Sequence, residues 1–341
     1  NTAEQGGLEN AQRESLMLAP PSYGAPSKRS VVSPTMVSRE LSVDELTRVQ
    51  QVAQAIRGYA AEWAIRANGG YLAQACGTAE LLSLLHTQVL DLGVSTAPTD
   101  PPRFIATPTP GNPGVRGEDW LGSGPDTLII SPAHYATAHY ATLVATGRLA
   151  PRSLSEDSTD GGLLEMIGAE HSPGMAVTSG SLGIALGVAV GRAIARKQLG
   201  KPGAIWVLIS DGELQEGSTW EALQLAVAKG LDNLRIVLDR NNMQVDGQMR
   251  GVLPIGDAGA KLKAFGVDVY EHSAHDVPGL WGALRDLQVS EGPALLVSHS
   301  EPWRGFSFLE PRWHQNKLHF VRLSSDEKAD LEREVAEIWA S

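Results

Sequence analysis

The chain has 341 residues, 42% of them hydrophobic and 20% charged, with a formal net charge of −11 and one cysteine. That length suits one large α/β domain or two ordinary ones, and the composition is that of a globular chain, not a disordered one. With no lysine/arginine run, nucleic acid is excluded as a partner, and the lone Cys76 excludes a disulfide framework or a zinc cluster.

Residues 1–40, with "APPSYGAPSKRSVVSP" and no apolar core of a secretory leader, read as a flexible tail. Met36 is a candidate native start, and the cytoplasm is the expected compartment. Residues 41–341 read as one domain. Ser42 and Glu45 have the spacing of a capping box, and Leu46, Val49, Ala53, Ile56, Ala60 and Trp63 then recur at helical spacing. A second helix is expected from about Gly77 to Leu90, then a Pro/Gly-rich loop over 93–126, a strand at 126–131 and a helix over 134–147.

The stretch "AVTSGSLGIALGVAVGRAIA", residues 176–195, is membrane-like, but Thr178, Ser179, Ser181 and Arg192 leave its apolar core too short to span. It is expected as a buried helix whose Gly183, Gly187 and Gly191 admit a close neighbour, with no membrane role. Beyond it, strands at 204–210, 234–239, 267–272 and 293–300 alternate with helices at 219–230, 261–266 and 277–287. Continuous apolar strands alternating with helices predict an α/β fold, a parallel sheet with helices on both faces.

Ligands of such sheets lie beyond the carboxyl ends of the strands. Asp211-Gly212 follows one strand and Asn241-Asn242 the next, so both loops converge on one place. A carboxylate and an amide carbonyl are hard oxygen ligands suited to Mg²⁺ or Ca²⁺, and Mg²⁺ takes the rest of its shell largely from phosphate. Gly212 lets the backbone approach an anion closely. Each dipeptide alone is also an ordinary turn. Together, between two buried strands, they read as a cradle for a metal–diphosphate. There is no Walker A pattern, and a metal-dependent phosphohydrolase on a similar sheet stays open on these residues.

The pair Asp211-Gly212 and Asn241 resembles the thiamine-diphosphate fingerprint, with Ser210 in place of its first glycine. "DGELQEGSTWEAL" and "DRNNMQVDG" are similar to the transketolase family in particular, and the resemblance covers about residues 45–320. It implies the thiamine-diphosphate-binding fold, with thiamine diphosphate and Mg²⁺ (or Ca²⁺) as cofactors. Asp211, Asn241 and the Met243 main-chain carbonyl would hold the metal. "LIISPAHYATAHYATL" places His134 near the diphosphate. "GAEHSPGMAVTSGSLGIALG" makes His171 a substrate-side histidine and Gly180, Ser181 and Leu182 a cofactor loop. "RGFSFLEPRWHQNKLH" puts His314 at the junction of cofactor and substrate.

Gly212 and Glu213 fall in the cofactor-binding stretch, although Glu213 reads equally well as a first-turn acid on the helix dipole. Glu216 matches a family glutamate in a carboxylate relay at a subunit contact. Tyr71 stands where the family has a histidine that hydrogen-bonds the donor sugar, and Gln74, Cys76 and Ile184 are further departures. His86, His139, His272, His275, His299 and His319 read as ordinary core or surface histidines.

The resemblance is to the first of three transketolase domains. It implies the N-terminal subunit of a split enzyme, working with a chain that carries the pyrimidine-binding domain and its cofactor-activating glutamate, as an α2β2 assembly. The implied reaction moves a two-carbon ketol unit from a ketose phosphate to an aldose or a carrier-bound acceptor. The α subunit of a 2-oxo-acid dehydrogenase E1-like enzyme and a non-catalytic cofactor-binding scaffold are the alternatives.

Overall fold

The computed structural model describes residues 40–104, 114–156 and 159–340. The expected tail and Met36 lie outside them, Glu40 excepted. Helix α1 (Val43–Ala67) begins at the expected capping box: Ser42 Oγ accepts from the Glu45 N–H, and Glu45 Oε2 from the Ser42 N–H at 2.9 Å. α2 (Leu72–Leu84) starts five residues earlier than expected. Every one of its residues is buried, so it has no polar face from which a period could be read.

Five parallel strands follow: β1 (Thr127–Ile130), β2 (Ile205–Ser210), β3 (Leu234–Arg240), β4 (Asp268–Ser273) and β5 (Ala294–His299), in the order β1-β2-β3-β5-β4. Between them run α3 (Ala136–Ala145), α4 (Ile184–Gln198), α5 (Gly217–Ala228), α6 (Ala258–Ala264) and α7 (Val277–Val289). Alternate strand residues feed two separate cores, as the pleat requires. Leu128, Ile130, Trp206, Leu208, Val237 and Leu296 pack with α1, α2, α3 and α7. Ile129, Val207, Ile209, Ile236, Leu238 and Leu295 pack with α4, α5 and α6. β1, β2, β3 and β5 are therefore covered on both faces and lack polar alternation, whereas the edge strand β4 is partly exposed.

α8 (Leu309–His314) and α9 (Ser325–Ala340) complete the chain, α9 docking Leu331 and Val335 into the first core. The long helix expected from residue 176 begins only at Ile184, because 176–183 form a loop that ends in Gly183 at φ 82°. Gly183 is crowded: a Cβ there would lie 2.6 Å from Ser218 Oγ. Gly187 and Gly191 have nothing within 4 Å, so neither admits a neighbour within the chain. Among the described residues no helix is long and apolar enough to cross a membrane.

Candidate active site

The carboxyl ends of β1, β2, β3 and β5 lie side by side, which gathers Ser131, Asp211, Asn241 and Ser300 along one rim of the sheet. Asp211 is fully buried. Its Oδ2 accepts from the Asn242 N–H at 2.6 Å, and Asn242 reaches it by adopting φ 58°. Its Oδ1 is buried without a hydrogen-bond partner among the described residues. Burial and the nearby Asp239 push its pKa up to about 8. A buried carboxyl whose second oxygen takes no well-aligned hydrogen bond is costly to ionise, even with the Gly212 N–H nearby, and a divalent cation would stabilise its charged form.

Asn241 supplies a second hard oxygen. Its Nδ2 donates to Tyr135 Oη and to Asp239 Oδ2, each at 2.9 Å, so the amide oxygen points the other way. That oxygen accepts from the Met243 N–H at 2.8 Å and retains a lone pair. Met243 is buried at the start of a two-residue hairpin, paired with Gln248. Among the described residues no cluster of three or more His, Cys, Asp or Glu side chains could hold a metal. A cation here would therefore draw on Asp211, on amide and main-chain oxygens, and on its anionic ligand. The donor set fits Mg²⁺ or Ca²⁺.

Glu213 is turned into the protein. It is fully buried, and both its oxygens are engaged within the chain: by the Ser131 hydroxyl, the Gly183 N–H at 3.0 Å and the Ser210 N–H at 2.9 Å. It ties together the ends of β1 and β2 and the start of α4, although burial raises its pKa. Gly180, Ser181 and Leu182, the first two exposed and the third half-buried, thus enter α4 through an anchored Gly183. The first main-chain N–H groups of that 15-residue helix are suited to an anion. Gly212 is half-buried in the short turn that carries Asp211, and Glu216 is exposed at the start of α5.

Beside this cradle stands a cluster of rings. His134 lies 5.1 Å from Tyr71, 5.1 Å from His319 and 5.0 Å from Tyr135 by ring centroids, and Tyr71 meets Phe320 edge-on at 5.1 Å. Loss of water around His134, with His319 adding to it, pushes its pKa down to about 3, and burial raises that of Tyr71. All are neutral near pH 7, so His134 can meet a diphosphate by hydrogen bonding but not by charge.

The cluster depends on a distant pairing: Gly69-Gly70 bridges Val321-Arg322, and a Cβ on Gly69 would lie 2.3 Å from the Val321 carbonyl oxygen. That bridge brings His319 to the site. In the sequence His319 reads as ordinary, and the family resemblance points to His314, five residues earlier. His314 instead is exposed on α8, with Glu310 at 4.0 Å as its neighbour one turn away. Only Leu309 of that helix is buried, so the turn faces its histidine outward. His171 packs on Phe104 at 4.6 Å and pairs with Glu165 at 3.3 Å rather than joining the ring cluster. Tyr135, Asp239 and Ser300 also belong to the site; Asp239 and Ser300 carry the signal of a strand-end position, and Tyr135, in the turn after β1, carries none.

Residues 125–301, just over half of the chain, match the family described as transketolase, thiamine diphosphate binding domain. A transketolase family protein of Sinorhizobium fredii is 34% identical over 284 residues, 82% of this chain and 92% of that protein. A subunit of the apulose-4-phosphate transketolase of Actinobacillus succinogenes is 34% identical over 218 residues, 62% of this chain and 79% of that protein. In structure, the transketolase of Campylobacter jejuni superposes with a TM-score of 0.69 at 22% identity, over 85% of this chain and 43% of that one. The chain thus spans under half the length of that solved transketolase.

Proposed function

The chain belongs to the transketolase family, and from that premise we propose that it is the diphosphate-binding subunit of a two-component, thiamine-diphosphate-dependent transketolase. The observation that carries the reading is Asp211, a buried carboxyl whose Oδ1 has no hydrogen-bond partner among the described residues, at the same carboxyl rim of the parallel sheet as Asn241, whose amide is oriented by Tyr135 and Asp239. The Actinobacillus relative is itself named as one subunit of its transketolase, and the match over 79% of its length supports the two-component form.

When bound, thiamine diphosphate would supply the carbanion chemistry of ketol transfer. The chain's own residues do the holding. Asp211, Asn241 and the hairpin at Met243 would bind Mg²⁺, which answers the diphosphate charge that an acidic chain otherwise repels. The loop Gly180–Leu182 and the first turn of α4 would present main-chain N–H groups to the same anion, the Gly183 N–H being taken by Glu213, and neutral His134 would add a hydrogen bond. Tyr71, His134 and His319 would form the substrate-facing wall. Exposed Glu216 would meet the partner subunit, which contributes the pyrimidine-binding half. The substrates would be a ketose phosphate donor and an aldose or carrier-bound acceptor.

Purified chain, alone and mixed with a pyrimidine-domain subunit, is assayed for transfer of a two-carbon unit between sugars. Activity is expected only in the mixture and only with thiamine diphosphate and Mg²⁺. Equal turnover by the chain alone would refute the two-component reading.

A further inference from the structure

Asn241, Tyr135 and Asp239 close a ring of hydrogen bonds inside the protein. Tyr135 Oη donates to Asp239 Oδ2 at 2.6 Å, and Asn241 Nδ2 donates both to that Oδ2 and to Tyr135 Oη at 2.9 Å. The other Asp239 oxygen takes the Ser300 hydroxyl. Tyr135 and Asp239 are each 1% exposed and Asn241 5%, so water does not compete.

The ring has a direction. The phenol has one hydrogen and gives it to the carboxylate, so it can only accept from Asn241. Both amide hydrogens are consumed there. A flipped amide would set its oxygen against Asp239, and only the observed orientation satisfies every group. Asn241 Oδ1 is therefore fixed on the side of the Met243 N–H, away from Asp239, before any cation arrives.

Resting on the reading of Asp211 and Asn241 as metal ligands, we propose that Tyr135 and Asp239 are positioning residues that make this centre prefer Mg²⁺ to Ca²⁺ by holding Asn241 Oδ1 rigid. Mg²⁺ demands near-ideal octahedral geometry with ligands at about 2.0–2.1 Å, whereas Ca²⁺ accepts about 2.3–2.6 Å and variable shells. A ligand free to swing costs the smaller ion more.

The full chain with thiamine diphosphate is titrated with MgCl₂ and with CaCl₂ by calorimetry. Tyr135→Phe opens the ring at two of its three bonds. It is expected to weaken Mg²⁺ binding by roughly tenfold or more, as outer-shell substitutions do, and Ca²⁺ binding by less than about threefold. Asn241→Asp adds a negative charge, which by simple attraction would tighten Mg²⁺. In the ring, the new oxygen faces Asp239, and weaker binding is expected. Circular dichroism on the metal-free proteins establishes folding; if Tyr135→Phe does not fold, Asn241→Asp carries the test. An equal loss for both ions in Tyr135→Phe, or tighter Mg²⁺ binding in Asn241→Asp, overturns the proposal alone. Absence of metal-dependent cofactor binding in the wild type overturns the metal-site reading and the proposal with it.

Discussion

Acidification should destabilise this protein through His86, which is half-buried, and His139, which is buried, neither of them in the proposed binding machinery. His86, just past the end of α2, and His139, on α3, have ring centroids 5.5 Å apart. Each uses one nitrogen on a carbonyl: His86 Nδ1 donates to Leu82 O at 3.0 Å, and His139 Nε2 donates to Gly174 O at 3.2 Å. The remaining nitrogens, His86 Nε2 and His139 Nδ1, are buried with no acceptor for an added proton among the described residues. Burial is the largest cause of the depressed pKa values, about 4 for His86 and about 3 for His139. The His86 charge also lowers the value of His139, and Arg148 adds to the effect on both.

Both folded values lie below the unfolded value near 6.5. The stability linked to the neutral rings is therefore fully present above pH 6.5 and is lost as pH falls from there toward the folded values. At pH 5.0 each ring is almost wholly protonated in the unfolded chain and almost wholly neutral in the folded one. At about 1.4 kcal/mol per pH unit below 6.5, each then costs about 2 kcal/mol, or about 4 for the pair, against a total stability of about 5–15. Denaturant unfolding at pH 7.5 and 5.0 is compared for the wild type and for His86→Gln/His139→Gln. The double variant should lose about 4 kcal/mol less than the wild type between the two pH values. His134, depressed to about 3, is common to both proteins and cancels. An unchanged pH difference would refute the reasoning.

Asp211→Ala should abolish Mg²⁺-dependent binding of thiamine diphosphate, measured by calorimetry. Its metal-free melting temperature should not fall by more than a few degrees, because a buried carboxylate with an unsatisfied oxygen is removed. Glu213→Gln offers one acceptor oxygen where two are used and turns an amide toward donors. A loss of about 2–4 kcal/mol in unfolding free energy is expected, together with faster hydrogen exchange at Gly183; wild-type protection there would contradict its role as a tie. Tyr71→His should raise kcat/KM of the reconstituted enzyme on pentose phosphates by about tenfold, the size of one good hydrogen bond; efficient wild-type turnover that the histidine does not improve would remove Tyr71 from specificity.

The sequence by itself determined the layers and the rim. Apolar runs of strand length between helical stretches can only be buried on both faces, so their carboxyl ends had to line up. Asp211 and Asn241, one residue past β2 and β3, were therefore placed together by covalent spacing alone. Even the unexpected start of α2 has a sequence-level reason, since a helix buried all round carries no period.

What required the tertiary structure was every decision between distant segments. His319 rather than His314 faces His134 because Gly69-Gly70 lies against Val321-Arg322, a pairing between segments some 250 residues apart that no local pattern encodes. Glu213 looks like any first-turn acid until Ser131, Ser210 and Gly183 converge on it from three chain segments. The neutrality of His134 depends on the groups that exclude water from it, and the orientation of Asn241 on a phenol 106 residues away. Residue type and spacing set which groups reach the rim; desolvation and hydrogen-bond direction, which exist only once the segments have packed, set what each group can do there.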